Sequence, residues 1–291
     1  MARSITIGKH TINNDSHCYV IAEIGHNHQG SVQKARELFK EAKLAGASAV
    51  KLQKRNNRGL YRKPATNKAF DNENSCGATY GEHGEFLEFG QKEYKELQAY
   101  ARELDIDFFA TAFDLDSADF LESLDVPAYK LASGDLKSEP LLRHVASFGK
   151  PVIVSTGGAL LDDVQRCYDT VMAINPQLCI LQCTAGYPAA FEELDLRVVS
   201  QYRERFPKAV IGFSGHDNGI AMAVAAYVLG ARVVEKHFTL NRAMKGTDHA
   251  FSLEPVGLRK MVRDLERTAA GLGDGANKNY ENRKAAIVKV G

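Results

Sequence analysis

The sequence predicts an α/β protein: a (β/α)8 TIM barrel with an N-terminal β-hairpin. Three observations predict it. Eight short β-rich runs alternate with eight amphipathic stretches. The runs are largely apolar and carry polar residues at their C-terminal ends, as parallel strands covered by helices do. The length, 291 residues, holds one barrel of about 250 residues plus short additions. A doubly wound open sheet is the alternative, but no Gly-x-Gly-x-x-Gly follows any run.

Residues 1–18 contain ITIGKHTI, whose Gly8 and Lys9 suit the turn of a hairpin capping the barrel floor. Residues 19–291 are read as the barrel. Its strands are expected at 19–25, 48–53, 107–113, 128–133, 151–156, 179–184, 209–215 and 232–240. The first helix is expected over 31–45: Ser31 is a candidate N-cap, Val32, Ala35, Leu38, Phe39 and Ala42 share one face, and Gly46 is a stop. Similar patterns cover 91–104, 116–124, 139–148, 160–174, 195–206, 218–229 and 255–271. The connection 54–90 is long, polar and glycine-rich, and is read as a rim loop at the barrel mouth.

Charge narrows the partners. With 37 basic and 36 acidic residues the net charge is +1, so neither nucleic acid nor an anionic membrane meets a strong field. No stretch of 18 apolar residues occurs. MARSITIGKHTINND has no apolar core of a signal peptide, and Cys18, Cys76, Cys167, Cys179 and Cys183 show no paired spacing. The expectation is a cytoplasmic protein with reduced thiols.

Barrel chemistry sits at the C-terminal strand ends. Those ends carry Glu23, Lys51, Gln53, Thr111, Lys130, Ser133, Ser155, Thr156, Gln182, Thr184, Ser214, His216, Glu235 and His237. Lys51 and Lys130 lie in strands expected to be covered, where an ammonium needs a partner or a bound anion. With the neighbouring hydroxyls they suggest an anion site. His216 and His237 end adjacent strands and could share a divalent metal, leaving positions open for water and substrate. Each could equally be a hydrogen-bonded packing residue. Glu23 is expected at the mouth, either in an ion pair with a lysine or as a catalytic carboxylate. Asp248 and His249 follow the last strand, also at the mouth.

His26-x-His28 raises a rival, the metal-dependent amidohydrolase barrel, with Lys130 as its strand-4 lysine. That reading requires histidines ending strands 5 and 6, where this chain has Ser155-Thr156 and Cys183-Thr184. Cys179 and Cys183 lack a second pair and are read as buried thiols rather than a zinc site.

Eight motifs in register, IAEIGHNHQG (21–30), VKLQ (50–53), YKLASGD (129–135), VSTGG (154–158), LQCTAGYP (181–188), GFSGHDNGI (212–220), VVEKHFTL (233–240) and KGTDHAFSLEP (245–255), resemble the N-acetylneuraminate (sialic acid) synthase family over nearly the whole chain. The resemblance implies a transferase that condenses phosphoenolpyruvate with an open-chain N-acyl hexosamine, such as N-acetylmannosamine or its 6-phosphate. The products are a nonulosonic acid and phosphate. It implies that Lys51, Thr111, Lys130, Ser133, Ser155 and Ser214 hold phosphoenolpyruvate. His216 and His237 would bind Mn2+ or Mg2+, Glu23 would act as acid and base with Asp135 assisting, and Tyr187 and Asp248 would contact the sugar.

The family usually forms a homodimer and continues into an antifreeze-like domain, which lends an arginine to the partner's sugar site. This chain ends at NYENRKAAIVKVG, where that linker would begin. The expectation is the barrel domain without the antifreeze-like domain: either that domain is a separate chain, or the sequence is truncated, or the sugar is held otherwise. KRNNRGLYRK (54–63) offers Lys54, Arg55, Arg58, Arg62 and Lys63, either as a solvated loop or as a site for a sugar phosphate or acyl group. Two alternatives stand beside the main reading: a phosphoenolpyruvate-aldose synthase with a different sugar, and a non-catalytic barrel subunit that needs a partner chain.

Overall fold

The computed structural model describes residues 3–57, 67–70 and 72–276. Ser4–Ile7 (β1) and His10–Asn13 (β2) pair antiparallel around Gly8 and Lys9. Their alternation buries Ile5, Ile7 and Ile12. The hairpin lies at the floor: Lys9 pairs with Asp105, just ahead of the third barrel strand, and Tyr19 donates to Asp107 at 2.8 Å.

Eight parallel strands then close a barrel: Tyr19–Gly25 (β3), Ala49–Lys54 (β4), Asp107–Ala112 (β5), Tyr129–Leu131 (β6), Val152–Ser155 (β7), Leu178–Cys183 (β8), Val210–Gly215 (β9) and Val233–His237 (β10). β10 pairs with β3, which leaves no open edge. The strands are buried almost throughout and largely apolar because their outer faces lie under helices and their inner faces fill the barrel; the exceptions, such as Glu23, Lys51, Lys130 and Glu235, are buried polar residues.

The helices are Val32–Leu44 (α1), Tyr80–Leu87 (α2), Gln91–Glu103 (α3), Leu115–Ser123 (α4), Glu139–Ser147 (α5), Leu161–Met172 (α6), Arg197–Arg205 (α7), Ala221–Val228 (α8) and Pro255–Leu272 (α9). Ser31 caps α1 by accepting from the Lys34 N–H, and Ala35, Leu38, Phe39 and Ala42 form its buried face. No helix among the described residues is long and apolar enough to cross a membrane.

The structure departs from the sequence reading in three places. Helix α2 lies inside the 54–90 segment expected as loop. Its glycines Gly81 and Gly84 hide the helical signal, but a capping box between Thr79 and Glu82 starts it. The fourth barrel strand is only three residues long, because Ser133–Asp135 turns into a 3-10 helix. The eighth ends at His237 rather than 240, and only Phe238 continues as an isolated bridge to Leu253. Arg58, Arg62, Lys63 and the C-terminal NYENRKAAIVKVG lie outside the described residues.

Candidate active site

Strand register assembles the mouth. Glu23 is in register with Lys51 on one side and His237 on the other. Gln53 is level with Thr111, Thr111 with Lys130, and Ser214 with both Cys183 and Glu235. Side chains two apart on a strand share a face, so these residues point into one cavity of about 720 Å3. A bulge in the pairing of β3 lies between Glu23 and Gly25. Gly25 has φ +52°, and a Cβ there would stand 3.3 Å from Glu23 Oε1 and 3.4 Å from Asp248 Oδ2. The glycine therefore lets backbone approach two carboxylates.

The cavity floor is a buried charge network. Lys51 Nζ lies 2.7 Å from Glu23 Oε2, 2.6 Å from Thr111 Oγ1 and 3.5 Å from Glu235 Oε1. Gln53 Nε2 donates to the other Glu23 oxygen at 2.8 Å. Glu23 therefore makes the ion pair that was one of its two readings. Burial pushes the Glu23 carboxyl up to about 7, against the pull of Lys51 and with a further push from Glu235. Burial also disfavours ionised Glu235, but Lys51 and Lys130 outweigh it and hold that carboxyl below its ordinary value.

Lys130 is buried and donates to the Leu131 carbonyl at 2.8 Å. No carboxylate of the described residues lies within 4.0 Å of its ammonium, and burial lowers its pKa. The Ser155 hydroxyl is buried without a partner, and Ser133 Oγ accepts from the Gly157 N–H at 2.8 Å. Burial raises the pKa of the Cys183 thiol and keeps it protonated, while Lys130, Ser133 and Ser214 pull the other way. Asp135 borders the same cavity. Burial raises its carboxyl to about 6, Lys130 opposes the shift, and Oδ2 has no partner.

On the opposite wall, His216 and His237 have ring centroids 5.4 Å apart. His216 Nδ1 lies 2.8 Å from the Thr184 carbonyl, so Nδ1 carries the proton and Nε2 keeps its lone pair. Burial lowers His216 to about 4 and His237 to about 3, so both rings are neutral at pH 7. His237 Nδ1 is buried without a hydrogen bond, with Asp248 Oδ2 at 3.6 Å. Two neutral imidazoles with free ring nitrogens fit a divalent metal that keeps open positions. Among the described residues no cluster of three or more His, Cys, Asp or Glu groups could hold one. Tyr187 stacks on His216 at 4.2 Å, and Phe251 packs edge-on to His237 at 4.8 Å.

All twelve residues given a role by the resemblance border this one cavity, as do Gln53 and Glu235; Thr156, Gln182, Thr184 and His249 do not. His28 does not. It is buried, stacked on Phe89 at 4.2 Å, with Nδ1 accepting from the Gly30 N–H. The amidohydrolase reading thus loses its histidine pair as well. Cys179 and Cys183 are free buried thiols, as read.

Sequence reasoning gave Glu235 no role, although the inward alternation from His237 could have placed it. It overlooked His83 and Asn57 on the rim, where the unrecognised helix α2 removed the periodicity that would have aimed them.

The chain is similar to known proteins in sequence and in fold. The sequence pattern of the NeuB family matches residues 38–277. The chain is 41% identical over 274 residues to the N-acetylneuraminate-9-phosphate synthase of Mus musculus, covering 94% of this chain and 76% of that protein. It is 35% identical to the N,N'-diacetyllegionaminic acid synthase of Legionella pneumophila, covering 91% of this chain and 76% of that protein. The crystal structure of the N-acetylneuraminic acid synthetase from Leptospira borgpetersenii in complex with citrate superposes with a TM-score of 0.86 at 29% identity, covering 99% of this chain and 96% of that one.

Proposed function

Because the chain belongs to the NeuB family, we propose that it is a nonulosonic acid synthase, condensing phosphoenolpyruvate with an N-acyl hexosamine and releasing phosphate. The observation that carries this reading is the Lys130 ammonium, buried beside the unpartnered Ser155 hydroxyl and without a carboxylate of its own among the described residues. A small dianion or trianion satisfies both groups, and phosphoenolpyruvate is one.

In this reading Lys51, Thr111, Lys130, Ser133, Ser155 and Ser214 hold its phosphate and carboxylate. A divalent metal, manganese or magnesium, held by His216 and His237 would polarise the sugar aldehyde. Tyr187 and Asp248 orient the sugar. The enol carbon C3 attacks the aldehyde carbon, and a C–C bond forms. The aldehyde oxygen takes a proton from Glu23, whose raised pKa keeps a large fraction of it protonated near neutrality. Positive charge develops at C2, beside Glu235 and the Glu23 carboxylate just formed. Water adds at C2 and returns a proton to Glu23. The tetrahedral adduct then collapses by C–O cleavage, and its hydroxyl proton leaves with the phosphate. Asp135 assists from the rim of the phosphate side. The protein contributes position and fixed charge.

The test is phosphate release by the purified chain from phosphoenolpyruvate with Mn2+ and a panel of N-acyl hexosamines. Release that needs both the sugar and the metal supports the proposal. No release with any member of the panel overturns it. Release only with a non-acylated aldose phosphate moves the assignment to the alternative sugar class.

A further inference from the structure

Between β9 and β10 the sheet stops just short of the two histidines. Their register ends with Gly215 beside Lys236. His237 stays in register with Glu23 on its other side, but His216 lies past the last pair of its own strand. The hydrogen bonds that hold His216 face the loop after β8. Its Nδ1 donates to the Thr184 carbonyl at 2.8 Å, and its carbonyl accepts from the Ala189 N–H at 3.2 Å. Neither bond fixes His216 relative to His237.

Lys236 and Asp217 supply that tie. Side chains alternate along β10, so Glu235 and His237 face the cavity while Lys236 faces the other way. The Lys236 ammonium donates to the Asp217 main-chain carbonyl at 2.5 Å and to Asp217 Oδ1 at 3.0 Å. Asp217 directly follows one histidine, and Lys236 directly precedes the other. Among the described residues, no other hydrogen bond joins residues 216 and 217 to β10. Gly215 leaves the space: a Cβ there would stand 2.7 Å from Asp217 Oδ1 and 3.1 Å from Lys236 Cδ, crowding both. The pair is sealed, with both side chains 1% exposed, and Asp217 Oδ2 is buried without a partner. An ion pair buried this deeply adds little stability over a well-packed apolar pair. What it adds is direction, because charge-assisted bonds fix one main-chain position against another.

We propose that Lys236 and Asp217 are positioning residues that hold the His216 and His237 imidazoles at the spacing, 5.4 Å between ring centroids, at which they share one divalent ion. This rests on the metal role given to the two histidines above. Neither Lys236 nor Asp217 borders the cavity, so the pair acts through the main chain. Asp217 holds the turn after His216, and Lys236 holds the strand before His237. Without the brace His216 follows the loop after β8, and the two rings lose their common focus.

The experiment uses Lys236→Met/Asp217→Leu, which replaces the brace by apolar side chains of similar shape and leaves the net charge unchanged. Mn2+ is titrated into the substrate-free wild type and variant and followed by electron paramagnetic resonance. Thermal melting controls for the fold, and crystal structures of both metal-free proteins give the ring positions. The variant should melt within a few degrees of the wild type or higher. It should bind Mn2+ about tenfold to a hundredfold more weakly, the usual effect of losing a group that orients a metal ligand. Its imidazoles should be displaced or adopt more than one rotamer. Mn2+ bound equally by both proteins, or imidazoles unmoved, overturns the brace. If the wild type binds no Mn2+, the metal role fails instead, and the ring positions alone decide the brace. Should the variant not fold, Lys236→Met/Asp217→Asn takes its place under the same criteria.

Discussion

Lys51 Nζ stands 2.7 Å from Glu23 Oε2, and both side chains are 2% exposed. The two residues are level on neighbouring strands, so the pair is set by the register of the barrel. A carboxylate so placed is held in one rotamer, poised by burial and by a cation at once.

Glu23→Gln keeps the shape and the Gln53 contact but removes the proton carrier. Phosphate release should fall by about 10²–10⁴-fold, the usual contribution of a positioned acid or base. Circular dichroism should stay native. Activity within tenfold of wild type would remove Glu23 from the mechanism.

The raised Glu23 pKa gives two signs to check. The protonated acid is depleted above about pH 7, so the rate should decline on the alkaline side. In stability, the folded state holds this proton more tightly than the unfolded chain, whose carboxyl titrates near 4.5. The contribution is therefore complete below pH 4.5 and is lost as pH rises through 7. The melting temperature of wild type minus that of Glu23→Gln should fall from pH 5 to pH 8. A rising difference would contradict the assignment.

His237→Ala should abolish Mn2+-dependent turnover and weaken Mn2+ binding, read directly by calorimetry or electron paramagnetic resonance. A mouth residue contributes little to the core, so melting should change by only a few degrees. Turnover like the wild type would refute the metal assignment.

Lys130→Met separates binding from stability. The ammonium is buried with no carboxylate of the described residues within 4.0 Å, and burial outweighs the more distant Glu235, which costs the empty protein free energy. The variant should melt at the same temperature or higher, while KM for phosphoenolpyruvate rises about tenfold to a hundredfold. An unchanged KM would remove Lys130 from the anion site.

Lys236 points away from the cavity and is sealed against Asp217, with Nζ 3.0 Å from Oδ1 and both side chains 1% exposed. Lys236→Met strands the Asp217 carboxylate and should cost about 3–5 kcal/mol in urea unfolding. The double variant with Asp217→Asn should recover much of that loss. If it does not, the pair is not the source of the cost.

Much of this protein is legible without coordinates. The strands were readable because they are short apolar runs ended by polar residues, and the helices because their faces repeat at helical spacing. The same rule places functional groups at strand ends, which is how Glu23, Lys51, Lys130, His216 and His237 could be picked out. Helix α2 escaped because its two glycines break the pattern and its capping box is a short-range signal.

The sequence by itself determined the barrel, the mouth, and the residue types that furnish it. Only the tertiary structure decided which of them meet. Pairing partners on a closed sheet are set by register and closure, which are long-range properties absent from local pattern. Thus Glu23 is bound to Lys51, Lys130 has no carboxylate of the described residues within 4.0 Å, and His28 turns to Phe89 while His26 turns to Arg55.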